Sequence, residues 1–151
     1  MSSSPETVDA RSIIGEVEDF YQEYIDSFNR GDLPTYCLCF DSKSAFLKRD
    51  VFNVLNAGPE LEDHARALRK RFLDNGWVRT DILARRVWLI EPEMATIVAD
   101  LGRVTHSDAE YERARCIYLV VRHEGRWRIR STTVSIRALS ASDGLLTGDQ
   151  R

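Results

Sequence analysis

From Ile13 to Asn29 apolar side chains recur every three or four positions, at Ile13, Val17, Phe20, Tyr21, Tyr24 and Phe28. Glu16, Glu18, Asp19, Glu23 and Asp26 fill the other side. That period predicts an amphipathic helix buried along one stripe. The run "NRGD" at 29–32 predicts its end, because Gly31 suits the left-handed position after a helix. Asp32 can cap a second helix, with Pro34 in a first turn whose backbone donors are unpaired anyway. Leu33, Tyr36, Cys37 and Phe40 give that short helix an apolar face.

The pattern then changes. "SAFLKRDVFNVLNAG" predicts two short strands turning near Arg49-Asp50. Gly58-Pro59 opens a third helix, acidic in its first turn (Glu60, Glu62, Asp63) and basic toward its end (Arg66, Arg69, Lys70, Arg71). This order complements the helix dipole. Leu61, Ala65, Leu68 and Phe72 are its buried stripe, and Asn75-Gly76 stops it. Four longer runs follow: Val78–Ile90, Met94–Thr105, Tyr111–Arg122 and Trp127–Ile136. Their short polar connections predict an antiparallel meander. In Tyr111–Arg122, Ile117 and Leu119 alternate with Cys116, Tyr118 and Val120, so both faces are apolar and both need cover. In a chain of this size the expected second cover is another copy of it, which predicts a homodimer on the outer face of the sheet.

Length and composition narrow the class. At 151 residues, 43% apolar and 30% charged, the chain reads as one globular domain. Residues 1–11 and 138–151 lack a core pattern and are expected to be flexible termini around a domain at 12–137. A net charge of −3 gives no electrostatic case for nucleic acid. No apolar run approaches the ~18 residues that span a bilayer, and "MSSSPETVDARS" is not a secretory leader. Cys37, Cys39 and Cys116 lack ligand spacing with His64, His106 or His123, so free thiols, no metal and no cofactor are expected. These features together predict a cytoplasmic location.

The helix corner "YIDSFNRGDLPTYCLCF", the "GP"-opened helix ending in "NGW" and the closing "YLVVRHEGRWRI" resemble the nuclear transport factor 2-like superfamily. That group includes ketosteroid isomerase and SnoaL-like polyketide cyclases, and the resemblance covers about Ile13–Arg137. It implies an α+β fold: a cone-shaped α+β barrel with three N-terminal helices packed in a curved antiparallel sheet. The implied pocket lies between helices and concave sheet, and the convex face commonly forms a dimer. Small bacterial members of unassigned function are the nearest in pattern.

The resemblance nominates a site. Aligned on Gly31-Asp32, Tyr24 falls where the isomerase carries a phenol that donates to an oxyanion. The isomerase's aspartate base falls near Lys48, with Asp50 two residues on, and its supporting tyrosine falls on Phe40, which lacks a hydroxyl. Asp100 interrupts an apolar run, Arg103 follows three residues later on the opposite face by strand alternation, and Arg113 and Arg115 share one face of the next strand. With Asp81 they faintly resemble the Asp-Arg-Asp set of the superfamily's epoxide hydrolases. An Arg-lined mouth would also suit an anionic ligand. The resulting candidates are Tyr24, Asp100 and Asp50 for chemistry, and Phe20, Phe28, Phe40, Trp88, Arg103 and Tyr118 for ligand binding. Two functions stay open: a domain binding a small, mostly apolar ligand, or a cofactor-free isomerase, cyclase or dehydratase. A third is a protein-interaction module whose pocket is filled by its own side chains.

Overall fold

The computed structural model describes residues 9–136; of the segments expected to be flexible, 1–11 and 138–151, residues 1–8 and 138–151 lie outside the described residues, as does Arg137. The first helix, α1 (Ala10–Asn29), starts three residues before the apolar stripe. Asp9 is the reason. Its carboxylate accepts from the backbone N–H groups of Arg11 at 3.1 Å and Ser12 at 3.3 Å, so residues 9–11 cap and begin the helix. The corner after it forms as the sequence predicts. Gly31 has φ +78°, and Asp32 accepts from the Thr35 N–H at 3.2 Å and the Thr35 hydroxyl at 2.6 Å. The helix it caps, α2 (Leu33–Leu38), is shorter than the pattern suggests: Phe40 opens a strand instead.

Two strands, β1 (Phe40–Lys48) and β2 (Val51–Asn56), make the hairpin. Helix α3 (Pro59–Asp74) follows, and then β3 (Trp77–Glu91), β4 (Met94–Thr105), β5 (Glu110–His123) and β6 (Arg126–Ser135). They form one curved sheet in the order β2-β1-β6-β5-β4-β3. The meander β3–β6 is antiparallel as expected. An all-antiparallel sheet is not what forms, because β1 pairs with β6 in parallel. The two are joined through β2, α3 and three further strands, and only such a long connection permits a parallel neighbour. Among the described residues no helix is long and apolar enough to cross a membrane.

Polar side chains fix α1 inside the curve. The Asn29 amide mimics a strand: its Nδ2 donates to Thr80 O at 2.9 Å, and its Oδ1 accepts from Thr80 N at 2.8 Å. Arg69 of α3 reaches over Gly31 and donates to the carbonyls of Phe28 at 2.9 Å and Asn29 at 3.1 Å. The last carbonyls of α1, orphaned by the helix end, are thus satisfied from another helix.

Register separates the two faces of the sheet, since directly paired residues point to the same side. One inner row runs Asn53, Phe46, Thr132, Tyr118, Ile97, Val87 across all six strands. Two outer rows run Phe52, Leu47, Thr133, Ile117, Val98, Arg86 and Val54, Ala45, Ser131, Leu119, Thr96, Trp88. The core fills the concave side against α1.

Candidate functional site

The stripe of α1 carries Tyr21, Tyr24 and Phe28 into the cone, where they meet Tyr36 of α2, Phe40 of β1 and Tyr118 of β5. All are buried. Tyr24 stacks on Tyr36 with ring centres 5.0 Å apart and 19° between planes, and meets Tyr118 edge-on at 5.6 Å. The hydroxyls converge. Tyr21 donates to the Tyr118 hydroxyl at 3.2 Å, and the Tyr24 and Tyr36 hydroxyls lie 3.4 Å apart. Burial pushes all four phenols well above their ordinary pKa. For Tyr24 it outweighs the opposing hydrogen bond to Tyr36. The phenols are therefore neutral, and each can donate.

Beside them Cys116 has its thiol pushed up to about 11, by burial above all. Cys39 is pushed up to about 12 for the same reason, and Cys37 is raised by burial and then by Glu62. All three cysteines are free, and none is an activated nucleophile. Thr132 completes the interior polar set. It pairs with Tyr118 in the inner row, is 4% exposed, and its Oγ1 has no hydrogen-bond partner among the described residues.

The nominated positions divide. Tyr24, Phe28, Phe40 and Tyr118 come together in the cone, and Phe20 packs partly buried against the same core. Arg103 is buried but engaged elsewhere: its guanidinium lies 4.2 Å from the Phe72 ring centre and pairs with Glu112. Three nominations need correction. Asp100 pairs across strands with Arg115 and lies on the sheet face opposite Tyr118, because strand alternation separates it from Ile97 and Ala99 of the interior. Arg115 holds it in a two-pronged ion pair at 2.7 and 2.8 Å. Asp50 sits at the exposed hairpin tip beside Arg49, where a carboxylate favours a turn. Trp88 stands on the outer face, 40% exposed. Neither carboxylate reaches Tyr24, so the nominated acid–base pairing does not exist. Asp81, the other carboxylate of that set, is held by Arg79 at 2.9 Å.

Sequence reasoning had Tyr21 and Tyr36 only as apolar positions, although their spacing from Tyr24 and Phe40 was visible. Thr132 gave no signal, because its face depends on register. Among the described residues a separate groove of about 400 Å³ opens between α2 and the start of α3, lined by Leu33, Leu38, Ala57, Leu61, Glu62 and Arg66 among others. It contains none of the nominated side chains. The described residues hold no cluster of His, Cys, Asp and Glu able to bind a metal.

A helix corner feeding a curved six-stranded sheet, with α1 lying in the concavity, defines the nuclear transport factor 2-like class of α+β proteins. The chain belongs to the family described as NTF2-like protein (DUF6841), whose model matches residues 15–136. No curated protein matches it. Solved structures share the fold at low identity. A protein of unknown function with a cystatin-like fold from Nostoc punctiforme is 16% identical, with 89% of this chain and 96% of that one covered and a TM-score of 0.67. The protein Aln2 from a Streptomyces species is 19% identical, covering 86% and 94%, with a TM-score of 0.65. The hexachlorocyclohexane dehydrochlorinase LinA-type3 from Novosphingobium barchaimii is 9% identical, covering 91% and 93%, with a TM-score of 0.62.

Proposed function

We propose that this chain is a ligand-binding member of its family, taking a small, mostly apolar molecule among the tyrosines of the cone, and is not an acid–base enzyme. One observation carries the reading. Four phenols are buried together and neutral, yet among the described residues no carboxylate, imidazole or amine hydrogen-bonds to any of them. Oriented donors without a base can bind an oxygen but cannot remove a proton. The rings now close on one another, and a ligand enters by replacing ring–ring contacts worth about 0.5–1.5 kcal/mol each. The interior is close-packed, so entry also requires these rings to move apart and make room for the ligand.

The same proposal includes self-association through the outer sheet face, where the two outer rows place apolar side chains from β2 to β3. Three free thiols fit a reducing compartment such as the cytoplasm.

The enzyme reading remains distinguishable by experiment. Proton exchange at the α-carbon of cyclohexanone in deuterated buffer is followed by NMR with and without the protein. The expected rate equals that of buffer. Exchange accelerated by the wild type and lost in Tyr24→Phe would establish catalysis and overturn the binding reading.

A further inference from the structure

Among the described residues Thr132 is an interior polar position that the fold leaves unused. Its Oγ1 is buried without a partner among the described residues, between Phe46 of β1 and Tyr118 of β5 on the inner face. A buried hydroxyl with nothing to bond is worse for stability than the methyl of an equally shaped valine. Valine is also well suited to a strand. Packing therefore gives no reason for the oxygen. The neighbouring phenols give none either, since Tyr21 bonds to Tyr118 and Tyr24 to Tyr36.

We infer that Thr132 is a ligand-binding residue whose hydroxyl takes a neutral oxygen, a hydroxyl or carbonyl, carried on a small aromatic ring seated against Phe46 and Tyr118. The inference rests on the reading of the cone as a ligand site and specifies what that ligand carries. Threonine both donates and accepts, which suits an alcohol, phenol or ketone. An anion is disfavoured by its surroundings. The row containing Thr132 reads Asn53, Phe46, Thr132, Tyr118, Ile97, Val87 and holds no cation, and Arg103, farther along the same face of β4 with its charge acting on Cys116, is paired with Glu112. The imidazole of His64, against the Phe46 ring at 4.8 Å, is kept neutral by burial and by Arg71 and Lys48. Arg85, whose charge acts on Tyr21, is engaged by Glu18 and Gln22 of α1. The walls favour a flat ring: Phe46 lies 5.5 Å from Phe40, which meets Tyr24 edge-on at 5.7 Å.

Phenol, toluene and benzoate serve as probes on the full chain, with wild type, Thr132→Val and Thr132→Ser compared. Affinity is read by NMR titration, and the melting temperature is measured without probe. Phenol and toluene differ by a hydroxyl against a methyl. Wild type is expected to bind phenol about tenfold more tightly than toluene, the value of one made hydrogen bond, and to leave benzoate unbound. In Thr132→Val the phenol affinity falls about tenfold, to that of toluene, while toluene is unaffected and the unliganded protein melts no lower. Thr132→Ser restores the preference. Equal affinity for phenol and toluene in the wild type, or undiminished phenol binding by Thr132→Val, overturns the role of Thr132 while toluene binding still supports a ligand site in the cone. A lower melting temperature for unliganded Thr132→Val also overturns it, because the hydroxyl then has a structural partner. Failure of all three probes to bind the wild type refutes the ligand site itself, and Thr132 with it.

Discussion

Replacing Tyr24 by phenylalanine removes one oxygen and almost no volume from the middle of the tyrosine cluster. Its hydroxyl has Tyr36 as partner at 3.4 Å, a long contact, so little stability is at stake. Unfolding in urea should change by about 1 kcal/mol or less, in either direction. A loss above about 2 kcal/mol would show instead that the hydroxyl closes a structural network. Asn29 is the opposite case. Its amide makes two good bonds to the Thr80 backbone, at 2.8 and 2.9 Å, which no neighbour can replace. Asn29→Ala leaves a part-buried N–H and C=O of β3 unpaired. It should destabilise by about 1–3 kcal/mol, measured by the same unfolding curves, without altering ligand preference. The contrast shows which residues were legible in advance. Asn29 stood in the corner motif but was read only as a helix end, since its partner Thr80 belongs to a strand far along the chain. Tyr24 is nominated by the resemblance to ketosteroid isomerase, aligned on the local Gly31-Asp32 corner.

At the scale of elements, the periodic segments were readable and the pairings were not. All three helices and the four long strands follow from apolar period, caps and turn residues within a few positions of one another. The parallel seam between β1 and β6 joins strands far apart along the chain, and no local pattern marks it. The same ignorance of register put Asp100 and Trp88 into a pocket that lies on the other side of the sheet. Packing between elements also sets a pH dependence. His64 of α3 lies against Phe46 of β1, and burial, then Arg71 and Lys48, lower its pKa in the fold. The unfolded chain then binds a proton more readily than the folded one, so stability is full above the unfolded pKa of about 6.5 and falls as the pH drops below it. His64→Phe keeps an aromatic ring at the contact and removes the titration. Melting temperatures taken from about pH 7.5 to about pH 5, a window spanning that unfolded value, should fall less steeply in the variant than in the wild type. Parallel profiles would mean that the imidazole is solvated in the folded state.

For the whole molecule the open question is the outer face. Its two central rows expose Phe52 at 67%, Val54 at 47%, Trp88 at 40% and Ile117 at 39%, with Leu47 and Leu119 between them and Val98 already buried beneath its neighbours. Six strands at the usual spacing make this band about 24 Å wide. A band that wide matches the ~800 Å² per partner of a stable interface better than the scattered apolar residues of a monomer surface. Within the two rows the charged side chain is Arg86, on the edge strand β3 and 5.9 Å from the Trp88 ring centre. Asp100 and Arg115 form a bidentate pair, so covering them buries no uncompensated charge. A two-fold axis through such a face repeats each contact, and one charge introduced near its centre therefore enters twice. Ile117 is the central choice, because it is exposed, pairs laterally with Val98 and Thr133, and lies on the face away from the tyrosines. The wild type should sediment at low-micromolar concentration with twice the chain mass, and Ile117→Lys with the mass of one chain. Near-unchanged far-ultraviolet circular dichroism in the variant would separate dissociation from unfolding. A wild type that sediments as a single chain at that concentration removes the outer face as a self-association surface. The phenol site would be untouched by that result, because it is built from the concave side of one chain.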